Sequence, residues 1–319
     1  MILDDKIILV TGGAGSFGQK FIQVALKDHN PKSIRVFDNR EHAMVQMERD
    51  LKDERIRFFI GDVRDKDRLQ RAMNGVDVVI HAAALKHVPI CEYNPIEAIK
   101  TNIDGAINVI DAAINNSVQK VINISTDKAV QPVNLYGATK MVAEKLFVQA
   151  NSYSGDKKTI FGCSRYGNVV GSSGSVVPLF REQKEKGEIT ITDENMTRFW
   201  ITLEDGVHFV IKCIEKMKGG EIFVPKIPSM RITDLAQAIA PNAKKRIIGI
   251  RPGEKLHEVL LTAEEASHVK EFDDHFIIEP EFPFWNKDNH KEGKRITQGV
   301  AYSSDNNNQW LDKNQIKES

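Results

Sequence analysis

Through the first half of the chain, short apolar runs rich in β-branched residues alternate with longer stretches whose apolar positions recur every three or four residues. Ile7–Val10, Ser33–Phe37, Ile56–Ile60, Val76–His81, Lys120–Ile124 and Thr159–Ser164 read as strands. Phe17–Lys27, Asp65–Met73, Pro95–Asn116 and Leu135–Tyr153 read as amphipathic helices between them. Strands that are apolar on both faces and alternate with helices predict an α/β fold, a doubly wound parallel sheet covered on both sides. After about Gly171 the rhythm breaks. Val176–Lys186 reads as a helix, Glu188–Thr192 as a strand and Leu203–Lys216 as a helix ahead of Glu221–Val224. Thr233–Ala240, Arg246–Ile250 and a polar tail with Asn306, Asn307 and Asn308 follow. This predicts one large unit over residues 1–170 and a smaller α+β lobe with a tail over 171–319, some later elements returning to the first unit.

The 319 residues suffice for a large core. Lys and Arg total 44, as do Asp and Glu, so the whole-chain field gives no reason to expect nucleic acid or an acidic membrane as partner. Cys91, Cys163 and Cys213 are odd in number and widely spaced, which fits reduced, buried thiols rather than a disulfide framework or a metal site. The first ten residues carry Asp4, Asp5 and Lys6 and lack the basic and apolar regions of a signal peptide. No apolar run approaches the roughly 18 to 20 residues that span a bilayer, so a soluble, cytoplasmic protein is expected.

Chemistry enters at Thr11-Gly12-Gly13-Ala14-Gly15-Ser16-Phe17-Gly18, directly after the first strand and opening the first helix. Glycine there permits a tight turn and lets backbone N–H groups approach a pyrophosphate at the positive end of a helix. The first unit therefore reads as a Rossmann-type NAD(P)-binding domain, with Gly12, Gly15, Ser16, Phe17 and Gly18 at the cofactor. Asp38 ends the second strand 20 residues after Gly18, where a carboxylate accepts the ribose hydroxyls and favours NAD. Arg40, two residues on, would suit the 2′-phosphate of NADP, so both cofactors stay open. Asp62 and Val63 fall beside the adenine, and Ala82, Ala83 and Ala84 line the cofactor with small side chains. His81 reads as a packed strand-end residue.

Strand five runs into Ser125-Thr126-Asp127-Lys128, and Tyr136 and Lys140 follow four residues apart at a helix start. Ligands of open α/β sheets sit outside the carboxyl ends of the strands, so these side chains are expected to face the nicotinamide. An ammonium and a cationic ring nearby would lower the Tyr136 pKa and let its phenolate take a hydroxyl proton. Asp127 and Lys128 supply an acid and a base beyond what moving a hydride needs. That surplus points to a sugar that is oxidised, dehydrated and reduced again.

The glycine-rich tract, His-Ala-Ala-Ala-Leu-Lys-His-Val-Pro at 81–89, Ser-Thr-Asp-Lys-Ala at 125–129 and Tyr-Gly-Ala-Thr-Lys at 136–140 resemble the extended short-chain dehydrogenase/reductases. More narrowly they resemble UDP-N-acetylglucosamine 4,6-dehydratases. Residues 165–171, 196–200, 224–230, 251–258 and 306–311 carry the resemblance through the second lobe, so it covers nearly the whole chain. Among these enzymes the chain is most similar to the soluble, C5-inverting type that opens pseudaminic acid synthesis for flagellin and surface-glycan modification. Membrane-anchored relatives tend to carry Met where this chain has Tyr136.

The resemblance implies that Tyr136, or Thr126 assisting it, removes the O4 proton as hydride leaves C4. Lys128, made neutral by burial and nearby cations, would take the C5 proton, and protonated Asp127 would release the C6 hydroxyl as water. Hydride returning to C6 regenerates the cofactor, with Lys140 and Ser125 beside it. Asn168, Arg198, Arg251 and Glu254 would hold the UDP-N-acetylglucosamine substrate, with Lys86 joining them, and the assembly would be a homo-oligomer, a hexamer by resemblance. Inverting members carry a Ser-Arg pair near the end of strand two, whereas Asp38-Asn39-Arg40-Glu41 is nearer the retaining, NAD-type pattern, so retention stays open. A 4-epimerase on this fold would leave Asp127 and Lys128 without a task, and a cofactor-sensing protein without turnover would leave the whole set idle.

Overall fold

Six parallel strands set the frame: β1 (Ile7–Thr11), β2 (Ser33–Asp38), β3 (Ile56–Ile60), β4 (Val78–His81), β5 (Lys120–Thr126) and β6 (Ile160–Tyr166). Their order across the sheet is β3-β2-β1-β4-β5-β6. The winding reverses between β1 and β4, which opens a crevice at the carboxyl ends of these strands. The computed structural model describes residues 1–170, 176–281, 289–297 and 299–318. Gly171, which ends the 165–171 motif and begins the expected second lobe, lies outside them.

Both β5 and β6 run two residues beyond their expected ends. They pair without interruption from Lys120↔Ile160 to Thr126↔Tyr166, so Ser125 and Thr126 are held by the sheet itself. The helices are α1 (Ser16–Asp28), α2 (Glu41–Leu51), α3 (Lys66–Met73), α4 (Val88–Tyr93), α5 (Pro95–Ile99), α6 (Gly105–Asn115) and α7 (Leu135–Gln149). The sequence pattern missed α2, because only Met44 and Met47 of its eleven residues are buried. The continuous helix expected over 95–116 is interrupted by a π-helical turn at Lys100–Asp104. There Asn102 turns inward and bonds both backbone groups of Leu85, accepting from its N–H at 2.8 Å and donating to its carbonyl at 2.9 Å. Such turns often mark functional sites, and this one fixes the loop after β4.

The sheet continues past β6 with Ile222–Pro225, which is parallel to it. His275–Ile278, Val269–Glu271 and Lys294–Arg295 then add as antiparallel strands, giving ten among the described residues. Helix Leu203–Lys216 packs on α1, capped by Thr202, whose hydroxyl accepts from Asp205 N–H at 3.0 Å. A second apolar cluster gathers Val177, Phe180, Ile191, Trp200, Met230 and Leu235. It is built on helix Val176–Glu185, the pairing of Glu188–Ile191 with Lys244–Ile247, and the strands Asn168–Val169, Thr197–Ile201 and Ser229–Arg231. Among the described residues no helix is long and apolar enough to cross a membrane.

Candidate active site

The crevice is a cleft of about 1110 Å³ between the sheet's carboxyl ends and the second apolar cluster. Its floor is the turn after β1. Gly12 has φ +65°, and a Cβ there would stand 2.8 Å from the backbone of Ala83. At Gly18 a Cβ would come within 2.5 Å of Gly13 Cα, so α1 packs directly on its own entry loop. Gly15 sits at the N-cap of α1 and brings no side chain to its first-turn amides. A cradle that side chains would fill, closed by an uncapped helix start, fits the pyrophosphate of a dinucleotide.

Asp38 is buried at the end of β2 and receives the Ala14 N–H at 3.1 Å. Arg40 grips it with two side-chain bonds, Nε to Oδ1 at 3.0 Å and a terminal nitrogen to Oδ2 at 2.9 Å. The guanidinium lies over Gly15 at the mouth of the cleft. Asp62 is held in the same way by Arg64 and by Asn39, and the Arg64 hydrogen bond keeps its carboxyl below the usual range. Ser16, Phe17, Val63, Ala82, Ala83, Ala84 and Ser125 also line the cleft, and the Ser125 hydroxyl has no hydrogen-bond partner among the described residues. His81 is buried as the sequence suggested, sharing a 2.8 Å hydrogen bond with Thr11 and stacked on Phe147.

The groups expected to react come from a single-turn 3-10 helix, Asp127–Ala129, that follows β5, and from the start of α7. Asn134 fixes that start. Its Oδ1 accepts from Gly137 N–H at 2.8 Å, and its amide donates to the Gly253 carbonyl at 2.8 Å. Asp127 is fully buried: its Oδ1 accepts from the Thr126 hydroxyl and from Lys128 Nζ, each at 2.9 Å. Its Oδ2 has no hydrogen-bond partner among the described residues and lies beside Gly167. Lys128 Nζ also donates to Asn168 Oδ1 at 3.3 Å and faces Glu258 Oε1 at 3.5 Å.

Two expectations about proton affinity are corrected. Burial lowers the Lys128 pKa, but Asp127 and Glu258 overcome it and leave the pKa above that of an ordinary lysine, so the amine is an ammonium rather than a ready base. Burial pushes the Tyr136 phenol up to about 12, and the groups acting against that are Lys128 and the Thr126 hydroxyl. Lys140, expected to lower it, points its Nζ at Asn123 Oδ1, 3.4 Å away, and is itself brought down to about 8 by burial.

Lys86 and Asn168 line the cleft with Thr126, Lys128, Tyr136 and Lys140. Arg198, Arg251 and Glu254 do not. Arg198 is turned into the protein, donating to the carbonyls of Thr197, Lys255 and Leu256. Arg251 is mostly exposed and pairs with Glu254 at 3.1 Å. Sequence reasoning missed Glu258, although it closes the 251–258 motif, because nothing in the local pattern says that Glu258 rather than Glu254 faces inward. It also missed Asn102, whose helix reads as unbroken, and Asn134, whose signal was an Asn just ahead of a helical run.

A family model described as polysaccharide biosynthesis protein matches residues 8–280. The chain belongs to this family. It is 52% identical over 326 aligned residues to the inverting UDP-N-acetylglucosamine 4,6-dehydratase of Campylobacter jejuni, covering 99% of this chain and 98% of that protein. It is 43% identical over 282 residues to a UDP-glucose 4-epimerase of Rickettsia canadensis, covering 86% of this chain and 83% of that one. The X-ray structure of Pen from Bacillus thuringiensis superimposes with a TM-score of 0.90 at 39% identity, covering 100% of this chain and 98% of that one. The resemblance to UDP-N-acetylglucosamine 4,6-dehydratases thus holds over the full chain. Family members of such similarity carry two reaction names, so the choice between them falls to the site.

Proposed function

We propose that the protein is a UDP-N-acetylglucosamine 4,6-dehydratase that inverts C5 and works with NAD. The observation that carries this is the Asp127–Lys128 ion pair in the turn after β5, beside Tyr136, with Asp127 fully buried and Lys128 lining the cleft. A 4-epimerase needs a phenol and a hydride site but has no use for this acid and base. The 52% identical relative carries the dehydratase name and supports the same choice, including inversion.

A bound nicotinamide dinucleotide would supply the acceptor and donor of hydride. The Gly12–Gly18 turn, Asp38, Asp62 and Ala82–Ala84 would hold it, with Lys140 and Ser125 at the reacting end. NAD is favoured over NADP because the Arg40 charge is already matched by Asp38, which leaves a 2′-phosphate facing a neutralised pair.

As a phenolate, the form that the Lys128 charge and the Thr126 hydroxyl favour against burial, Tyr136 takes the O4 proton of the sugar while C4 gives up its hydride. The C4 ketone then acidifies C5–H. A single proton moved along the 2.9 Å bond from Lys128 Nζ to Asp127 Oδ1 turns the ion pair into an amine and a carboxylic acid. The amine removes the C5 proton, and the acid protonates the leaving C6 hydroxyl, so one water departs. With hydride returned to C6, C5 regains a proton from the face opposite the one that lost it. Asn168 and Lys86 hold the sugar in the cleft. The exposed side chains of Ile90, Tyr93 and Ile96 on α4 and α5 support assembly into a homo-oligomer.

Proton NMR of the reaction with UDP-N-acetylglucosamine in heavy water tests this reading. A 6-methyl signal with deuterium at C5 is expected, and its coupling constants report the inverted sugar. A C4 epimer that keeps its C6 hydroxymethyl group would sink the dehydratase reading in favour of the epimerase.

A further inference from the structure

Lys128 stands between two carboxylates that meet it differently. Asp127 accepts directly from Nζ at 2.9 Å, whereas Glu258 approaches from the far side with Oε1 3.5 Å away. The Glu258 side chain is 4% exposed, and its Oε2 has no hydrogen-bond partner among the described residues. Its other cationic neighbours also keep ion-pair distances, Arg198 Nε at 3.8 Å and Lys255 Nζ at 3.9 Å. The backbone that presents it is pinned on both sides. Glu258 N–H donates to Ser304 Oγ at 2.9 Å, and Ser304 N–H donates to the Glu258 carbonyl at 2.8 Å. A carboxylate placed so deep with so few hydrogen bonds costs stability, and what it acts on is the charge beside it.

We propose that Glu258 is a positioning residue that sets the charge of Lys128, and through it the pH range in which the sugar loses water. The proposal deepens the dehydratase reading and rests on it. Every ionisable group around the pair bears on this. Asp127 from the turn after β5 and Glu258 hold the proton on Lys128. Arg198 on Thr197–Ile201 pushes it off, as do Lys255 on Glu258's own segment and Lys86 from the loop after β4. Tyr136 faces Lys128 from α7, Asn168 contributes an uncharged oxygen, and His257 is turned away to share a 2.8 Å hydrogen bond with Thr197.

Only Asp127 lies close enough to exchange a proton with Nζ directly. Glu258 acts through its field: as a carboxylate it opposes the shift of the proton to Asp127, and once protonated it no longer does. Burial raises the proton affinity of Glu258 itself, which brings that switch nearer to working pH. The active form of the Asp127–Lys128 pair shares one proton, so both limbs of its pH profile belong to the pair. Removing a nearby negative charge moves both to lower pH.

The test follows water loss from UDP-N-acetylglucosamine by proton NMR across the accessible pH range, with the complete enzyme. Glu258→Gln is expected to move the profile down by about one unit or more, and Glu258→Asp, which keeps the charge at a greater distance, by less. A wild-type protein that releases no water at any pH fails the dehydratase reading and this proposal with it. A wild-type protein that dehydrates, joined by variants whose profiles are lower in height but unmoved in pH, overturns the Glu258 proposal alone. Where the Gln variant does not fold, the shift of the Asp variant decides by the same criterion.

Discussion

Gly137, the third residue of α7, lies so near the carbonyl oxygen of Lys128 that a methyl group on it would overlap that oxygen. Pro132 closes the same space at 3.1 Å from the position a Cβ would take. The helix bearing Tyr136 and Lys140 is thereby seated on the turn bearing Asp127 and Lys128, backbone against backbone.

Replacing Gly137 by Ala should therefore do the opposite of what helix propensity says. An exposed helical Gly→Ala change stabilises by roughly 0.5–1 kcal/mol, whereas forcing an extra methyl into a tight contact costs about 1–3 kcal/mol. Gly137→Ala is expected to lower the denaturation midpoint and to slow turnover by displacing Tyr136 from Thr126. Urea unfolding and the dehydration rate check this together. A variant at least as stable as the wild type, with full activity, would show that the turn moves aside without consequence.

Local sequence shows the alternation of strand and helix and the glycine cradle because both are local. Apolar runs of five or six residues and a glycine-rich turn after the first strand leave few alternatives. The residues that proved hard to read act across long separations. Glu258 reaches Lys128 from 130 positions away, and Asn134 meets Gly253 across 119. Arg165, the first residue of the 165–171 motif, is buried between Glu144 and Glu265 at 2.8 and 2.9 Å and ties β6 to α7 and the segment after Leu261. No periodicity reports such contacts. Proton affinities were hidden for the same reason, since the field at Lys128 comes from four separate segments.

Asp38→Asn should shift cofactor choice towards NADP. The substitution removes the anion that now occupies Arg40 through two side-chain bonds, while the Ala14 N–H can still donate to the amide oxygen. The freed guanidinium gains a 2′-phosphate as its natural acceptor, and NAD loses a ribose acceptor. The ratio of NAD to NADP affinity is expected to fall about tenfold, the equivalent of about 1.4 kcal/mol. Calorimetric titration of nucleotide-free protein with each dinucleotide measures it. An unchanged ratio would place the discrimination elsewhere than at this pair.

Asp127→Asn separates oxidation from elimination. An amide cannot donate a proton to the C6 hydroxyl, but it keeps the shape of the pocket and a contact with the Thr126 hydroxyl. Water release is expected to fall by about 10²–10⁴-fold, the usual worth of a positioned acid. Tyr136 and Lys140 are untouched, so reduced nicotinamide should build up and be visible by its absorbance. Loss of both signals in a protein that melts like the wild type would place Asp127 in the oxidation step instead.

His81 gives a pH dependence of stability whose sign can be worked out in advance. Burial, with the Lys140 charge behind it, presses its pKa down to about 3, while an unfolded histidine titrates near 6.5. Between those values the unfolded chain binds a proton that the folded one refuses. Stability tied to His81 is therefore intact above pH 6.5 and lost as pH falls, by about 1.4 kcal/mol per unit. His81→Gln can retain the hydrogen bond to Thr11 and has no proton to gain. Moving from pH 7.5 to pH 4.5 should change the stability difference between the two proteins by about 2–3 kcal/mol in favour of the variant. Urea midpoints at the two pH values measure the change. A constant difference would mean that His81 takes up its proton inside the fold, and that Lys140 and the surrounding core make room for the charge.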